Sequence, residues 1–373
     1  MNLKVARPRP CPRARGVRVA FALVLTLAAA GCGSSSSNSS SSSQSSAGGG
    51  GSAASSSTAV SHTVAAYDGP EANLPTTYPT PTVKPGTKFS VAYLCPNAGV
   101  ASLQAQSHAI EAETKKLGGS FVEFNTLAGP QAQATDFQDA LTKGVNAIVV
   151  QPEEAASLAP LVKQAAAKHV AVIAASTPTA ANQPNLPGYA TDPIQGVDLQ
   201  AYQIAAELAK ADPGASFAAL GTSLPFASTQ YLTAREIYWG KKLGLKYLGR
   251  VNMAGATPAQ ASAAEQAILA RYPTTQAVLA WYDVAAEAAV SANRASQKSN
   301  IKVYGYGGDA AAIDLVRSGQ LAGDSLTQES TFGTQEAIAA YDEVTKQHLP
   351  LPAKVLVAPL AVTKANAASV KGW

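Results

Sequence analysis

Histidine, cysteine and methionine are scarce in this chain: four, three and two among 373 residues. Three scattered cysteines exclude a disulfide framework, and four scattered histidines leave a zinc centre without ligands at the usual spacing. Charge is sparse too, at 14% of residues, where about a quarter is usual. It is also uneven. Six cations (Lys4, Arg7, Arg9, Arg13, Arg15 and Arg18) precede the first acid, Asp68, so the formal net charge of +4 misleads. Without those six, 22 basic residues face 24 acidic ones, a balance of −2. That excludes the basic footprint of a nucleic-acid-binding surface. No G-x-S-x-G, H-E-x-x-H or Walker loop occurs. No catalytic centre, metal or cofactor is therefore expected.

What the chain does have begins with an address. Arg-rich residues 1–18 lead into the apolar run Val19–Ala30 and then Gly31 and Cys32. A cationic start, a short apolar run and small residues at its end make a secretory signal peptide over 1–31. The run is too short to span a bilayer, which takes about 20 residues. Ala29-Ala30-Gly31-Cys32 resembles the lipobox of bacterial lipoproteins, in which the cysteine is acylated and becomes the new N-terminus. Ala29 stands where that pattern prefers leucine, and ordinary cleavage near Ala30 is the alternative. Residues 33–57 are almost wholly Ser, Gly and Ala, and 58–85 are richer in Thr and Pro. Such composition buries too little to offset its ordering entropy, so 32–85 reads as a tether.

From Lys88 onward, short apolar runs alternate with helical patterns. Phe89–Leu94, Ile148–Val150, Val170–Ala174, Phe217–Leu220, Ala277–Ala280 and Lys302–Tyr304 read as strands. Their unbroken apolar character suits strands covered on both faces. Ala101–Leu117 reads as a helix, with Leu103, Ile110 and Leu117 on one face and Gly118-Gly119 as its stop. Repeated β-α-β units imply parallel sheets with helices on both faces, and about 288 residues after Pro85 suit two such domains. Ligands of these sheets bind at the carboxyl ends of the strands. Gly305-Tyr-Gly-Gly-Asp309 reads as a tight turn with Asp309 capping the next helix. Cys95 ends the first strand, as a small buried hydrophobe or as a pocket residue.

Residues 88–363 resemble the type I periplasmic binding proteins, most closely the ribose-binding branch that feeds sugar ABC importers. Lys116-Leu117-Gly118, Gly144-Val-Asn-Ala-Ile-Val-Val-Gln-Pro152, Val172-Ile-Ala-Ala, Gln276–Ala280 with Asp283, and Gly305-Tyr-Gly-Gly308 before Ser318-Gly-Gln-Leu321 carry the likeness. The resemblance implies two doubly wound parallel-sheet α/β lobes joined by three crossovers, near Ala190–Asp192, Thr327–Glu329 and Ala358–Pro359. The first lobe would be 86–190 plus 329–357 and the second 191–328 plus 358–373. The lobes would close on a ligand by a hinge motion.

The resemblance also marks pocket positions, several of them altered here. Asn97 stands in a first-lobe loop that has no aromatic residue. Ser176 and Thr177 replace a charged Asp-Arg pair. Arg235 matches the family's arginine in the second lobe, Tyr282 beside Trp281 replaces an asparagine, and Gly307 replaces an aspartate. The crossover glutamine falls on Thr327 or Gln328. Ligand contact is weighed against plain packing for Trp281 and Tyr282, and against a solvated helix charge for Arg235. In the ligand role, Arg235→Ala would weaken affinity roughly five- to 150-fold and leave stability alone. The expected protein is a monomeric, lipid-anchored, extracytoplasmic solute-binding protein that is not an enzyme. It would hold a small polar, sugar-like molecule for an ABC permease. A lipoprotein that reports ligand to a membrane receptor is the alternative.

Overall fold

A computed structural model describes residues 67–126, 129–175, 192–194, 196–224, 227–345 and 354–373. The signal segment, Cys32, the Ser/Gly tract, Ser176 and Thr177 lie outside the described residues. Strand β1 (Ser90–Cys95) opens a run of alternating elements: α1 (Ala101–Lys116), β2 (Ser120–Asn125), α2 (Pro130–Lys143), β3 (Ala147–Val150), α3 (Ala155–Ala167) and β4 (Ala171–Ala174). The four strands form a parallel sheet in the order β2-β1-β3-β4. Both faces of the sheet are covered. Val91, Tyr93 and Cys95 share one apolar cluster with Ile110 of α1, while Ala92 and Leu94 share another with Phe137 of α2 and Leu158 of α3. This alternation explains why β1 reads as one unbroken apolar run.

After the short strand β5 (Asp192–Ile194), a second lobe repeats the scheme. Its elements are α4 (Val197–Ala211), β6 (Ser216–Thr222), α5 (Ala227–Lys242), β7 (Lys246–Met253), α6 (Pro258–Arg271), β8 (Ala277–Ala280), α7 (Asp283–Ala295), β9 (Lys302–Gly307), α8 (Ala310–Ser318) and β10 (Gly323–Leu326). Helix α9 (Glu329–Thr345) then returns to the first lobe, followed by β11 (Lys354–Leu356) and β12 (Leu360–Val362). The second sheet runs β12-β10-β9-β8-β6-β7, parallel except for β12, and β5 pairs with β11 in a separate two-stranded ribbon. The fold is thus the expected α/β architecture of two parallel-dominated sheets with helices on their faces. Helix α9 crosses α1 at Gly333, where an added Cβ would come within 2.3 Å of the Gln106 carbonyl oxygen. That close approach buries the Gln106 amide, which donates to Glu336 on α9 and accepts from Tyr93 of β1.

Residues 67–85 differ from the tether expected there. Tyr67 is 4% exposed and packs with Val197, Leu199, Trp239 and Leu356, whereas Tyr78 is 3% exposed and packs with Phe89, Ile338 and Tyr341. The packed body therefore begins by Tyr67, before the Gly86 boundary. Composition misleads here because two tyrosines spaced along a polar, proline-rich segment carry its burial, and each finds its pocket only in the folded body. Among the described residues, no helix is long and apolar enough to cross a membrane.

Candidate functional site

The carboxyl ends of both sheets present loops, as the topology requires of a binding edge. In the first lobe, the loop after β1 is braced from within. The Asn97 Oδ1 accepts the Gly99 N–H at 2.9 Å, and Asn125 Oδ1, at the end of β2, accepts the Ala98 N–H at 3.1 Å. Asn97 is half-buried. After β3, the Gln133 side chain of α2 grips the turn, donating to Gln151 O at 2.8 Å and accepting from Glu153 N at 3.0 Å. Burial raises the Glu153 carboxyl above its usual range, against a hydrogen bond from Thr126. Glu153 was not among the expected site residues. The signal was present as an acid directly after a strand-ending Gln-Pro turn.

In the second lobe, the Trp281 and Tyr282 rings lie 3.9 Å apart at the end of β8. Trp281 is 6% exposed and donates its Nε1–H to Met253 Sδ at 3.2 Å, which makes it part of the core. Tyr282 is half-buried, with its hydroxyl donating to Ala256 O. Of the two aromatics, Tyr282 is the more exposed. Thr327 is buried and donates both its N–H and its Oγ1–H to Gly307 O, each at 3.0 Å. Gln328 beside it is half-buried, so of the two candidates for the crossover glutamine Thr327 is the buried brace and Gln328 the more exposed.

The turn at the end of β9 is held differently from expectation. Asp309 occupies the N-cap position of α8, yet its side chain makes no capping bond. Asp283, from the start of α7, supplies the acceptor instead: its Oδ2 takes the N–H groups of Gly308 and Asp309, both at 2.6 Å. This also explains the glycine at 307. Its φ is +135°, and a Cβ there would stand 2.7 Å from Asp283 Oδ2, so an aspartate at this position has no room. Asp324 of β10 faces the same spot. A Cβ on Gly305 would come within 2.7 Å of Asp324 Oδ2 and 2.9 Å of Asp283 Oδ1. Burial raises both carboxyls, and the Asp283 charge raises Asp324 further. Two carboxyls this close in a dry site compete for protons, and the two backbone N–H groups on Asp283 favour its charged form, so Asp324 is the one raised further.

Arg235 lies in the middle of α5, where its Nε–H donates to the buried Asp198 Oδ1 of α4. Its guanidinium stacks on the Tyr238 ring at 3.9 Å. Tyr67 and Trp239 donate to the same carboxylate. The structure thus groups Arg235 with Asp198, Tyr67 and Trp239. A cation does serve the loop after β6, but it is Arg250 of β7, donating to Thr222 O at 3.1 Å and to Gln230 Oε1 at 2.8 Å. Cys95 is fully buried with its thiol pushed up to about 11 by burial, so it behaves as a packed hydrophobe.

The strand ends therefore carry half-buried neutral amides (Asn97, Gln328), a tyrosine (Tyr282) and carboxylates (Glu153, Asp309). Carboxylates and amide oxygens accept strongly from hydroxyl donors. No group of three or more His, Cys, Asp or Glu that would hold a metal ion occurs among the described residues.

A family model described as a periplasmic binding protein domain matches residues 91–347. The chain belongs to this family. The two-lobed architecture of such binding proteins recurs in solved structures. An ABC transporter periplasmic solute-binding protein from Actinobacillus succinogenes 130z, with bound D-allose, has a TM-score of 0.67 at 18% identity, covering 76% of this chain and 100% of that one. A periplasmic ribose ABC transporter protein from Conexibacter woesei DSM 14684 has a TM-score of 0.68 at 16% identity, over 76% and 94% of the two chains. A solute-binding protein from Bacillus halodurans C-125 with bound myo-inositol has a TM-score of 0.65 at 16% identity, over 77% and 98%. No curated protein sequence matches the chain.

Proposed function

We propose that this periplasmic binding protein captures a neutral, polyhydroxylated small molecule, a sugar or cyclic polyol, between its lobes and hands it to an ABC importer. The observation that carries this reading is the composition of the strand ends. Tyr282 offers a stacking face, Asn97 and Gln328 offer amides, and Glu153 and Asp309 offer acceptors suited to ligand hydroxyls. The structural relatives with bound D-allose and myo-inositol support the ligand class. Ser176 and Thr177 complete the contact set as short hydroxyl groups after β4, and Thr327 supports the turn beneath the ligand. Arg235 and Trp281 serve packing on this reading. The role is capture and release without turnover of the ligand, by a single polypeptide outside the cytoplasm. Cys32 carries the lipid anchor, and the Ser/Gly tract gives the body its reach from the membrane.

The test is a thermal-shift and calorimetric screen with D-allose, D-ribose, myo-inositol and glycerol, alongside amino acids and polyamines. Binding of at least one sugar or polyol, weakened by Tyr282→Ala, is the expected result. Binding confined to amino acids or polyamines would overturn the ligand class. Cys32→Ser should move the protein from the membrane to the soluble fraction, and unchanged fractionation would refute the anchor.

A further inference from the structure

We propose that residues 67–85 form a strap that joins the two lobes on their hinge side and limits the range of angles over which they open. The strap lies outside the family match, which begins at residue 91. Its first anchor is in the second lobe. Tyr67 donates to the buried Asp198, and the Glu71 carboxylate, 1% exposed, accepts the N–H of Leu199 at 3.1 Å and that of Asp198 at 3.5 Å. Those N–H groups open α4, whose own N-cap position is Gly196 and has no side chain to serve them. Glu71 is thus a helix cap brought in from 127 residues away, accepting from two otherwise orphan donors, while burial raises its carboxyl to about 8 against those bonds. Asp68 adds an ion pair to Lys242 of α5.

The second anchor is in the first lobe. Tyr78 is packed in that lobe's core, its N–H donates to Gln335 Oε1 of α9 at 2.6 Å, and Lys84 N–H donates to Tyr341 Oη at 2.9 Å. Between the anchors, Pro75 O accepts the N–H of Leu356 at 2.8 Å. Leu356 ends β11, which pairs with β5 in the ribbon linking the lobes. One segment therefore holds the second lobe, the linking ribbon and the first lobe in turn. Pro70 and Pro75 stiffen the span between the tyrosines. Rotation of one lobe against the other must stretch this span or pull out a buried tyrosine, so the strap resists angles that the linking strands alone would permit.

The experiment uses the full chain carrying Cys11→Ser and Cys32→Ser, with spin labels at Lys143→Cys and Lys298→Cys. Both positions are exposed: Lys143 is the last residue of α2 and Lys298 lies three residues past α7, one in each lobe. Interlobe distances are measured without ligand, in this background and with Tyr67→Ala plus Glu71→Ala added. Hydrogen exchange at the Leu199 and Leu356 amides reports strap release. The expected result is faster exchange at both amides and a distance distribution about twofold broader, as hinge freedom is restored. An unchanged distribution with both amides deprotected would overturn the proposal, as would amides that stay protected. Should the double variant unfold, Glu71→Ala alone, which keeps the Tyr67 packing, carries the same test with the same opposing outcomes.

Discussion

The second lobe buries two aspartate centres and solves the same physical problem in opposite ways. Asp198, fully buried, is surrounded by donors: the Arg235 guanidinium, the Trp239 indole and the Tyr67 hydroxyl. Among the described residues, no cation pairs with Asp283 or Asp324. Two backbone N–H groups of the β9 turn donate to Asp283, and burial together with the facing acid raises both carboxyls toward their protonated forms. A buried charge costs several kcal/mol unless it is paired or neutralised. The first centre depends on keeping its partners, and the second depends on staying protonated. The centres should therefore fail under different insults.

Removing the paired aspartate should cause the largest loss. Asp198→Ala leaves a half-buried guanidinium without its carboxylate and strips the acceptor from Tyr67 and Trp239. About 3–5 kcal/mol of stability should go, read by denaturant unfolding. Arg235→Ala should cost roughly 2–3 kcal/mol, since the cation is partly exposed, while ligand affinity stays near wild type. This exchanges the two halves of the expectation drawn from sequence. A many-fold loss of affinity with unchanged stability would return Arg235 to the pocket.

The two-acid centre should respond to pH. Asp283 and Asp324 are raised by burial, as are Glu236 (to about 8) and Glu265 (to about 7). For each, the folded state holds its proton more tightly than the unfolded chain, so stability is full below the ordinary carboxyl range near pH 4 and declines as pH rises through about 8. The melting temperature should fall between pH 5 and pH 9, and Asp324→Asn, which keeps a donor but needs no proton, should flatten that decline. A profile that rises over this interval would show the pair ionised. The smallest effect should come from Tyr282→Ala, which should change stability by less than about 1 kcal/mol yet weaken sugar binding about tenfold through the lost stacking face.

The sheets were largely legible before the structure. The run Ala277–Ala280 is β8 to the residue, and Phe89–Leu94 differs from β1 by one position at each end. Half of the twelve described strands were not expected, β5, β10, β11 and β12 among them; of these six, β2 and β7 lie at sheet edges with one partner each. Their half-exposed faces mix Lys246, Arg250 and Glu123 with apolar residues, so no continuous run marks them. The site was legible at the level of strand ends and less so at single residues. Trp281 and Tyr282 were found as a pair, but adjacent residues in sequence do not reveal which ring turns into the core. Asp309 read as a cap by its position, and the acceptor that serves its turn comes from Asp283, 26 residues earlier.

What the sequence determined by itself was local. Apolar runs, the helix between them, the Gly stops and the order of motifs follow from side-chain periodicity and backbone preference, which neighbouring residues settle among themselves. The absence of a basic footprint and of catalytic motifs belongs to the same level. Only the tertiary structure decided which charges meet. Arg235 finds Asp198 across 37 positions, and Glu71 finds α4 across 127. The two acids at 283 and 324 meet over a glycine that leaves them room. Whether an ionisable side chain pairs, keeps a proton or stays in water depends on how much solvent packing removes from it and which partner packing brings near, and both are properties of the folded chain.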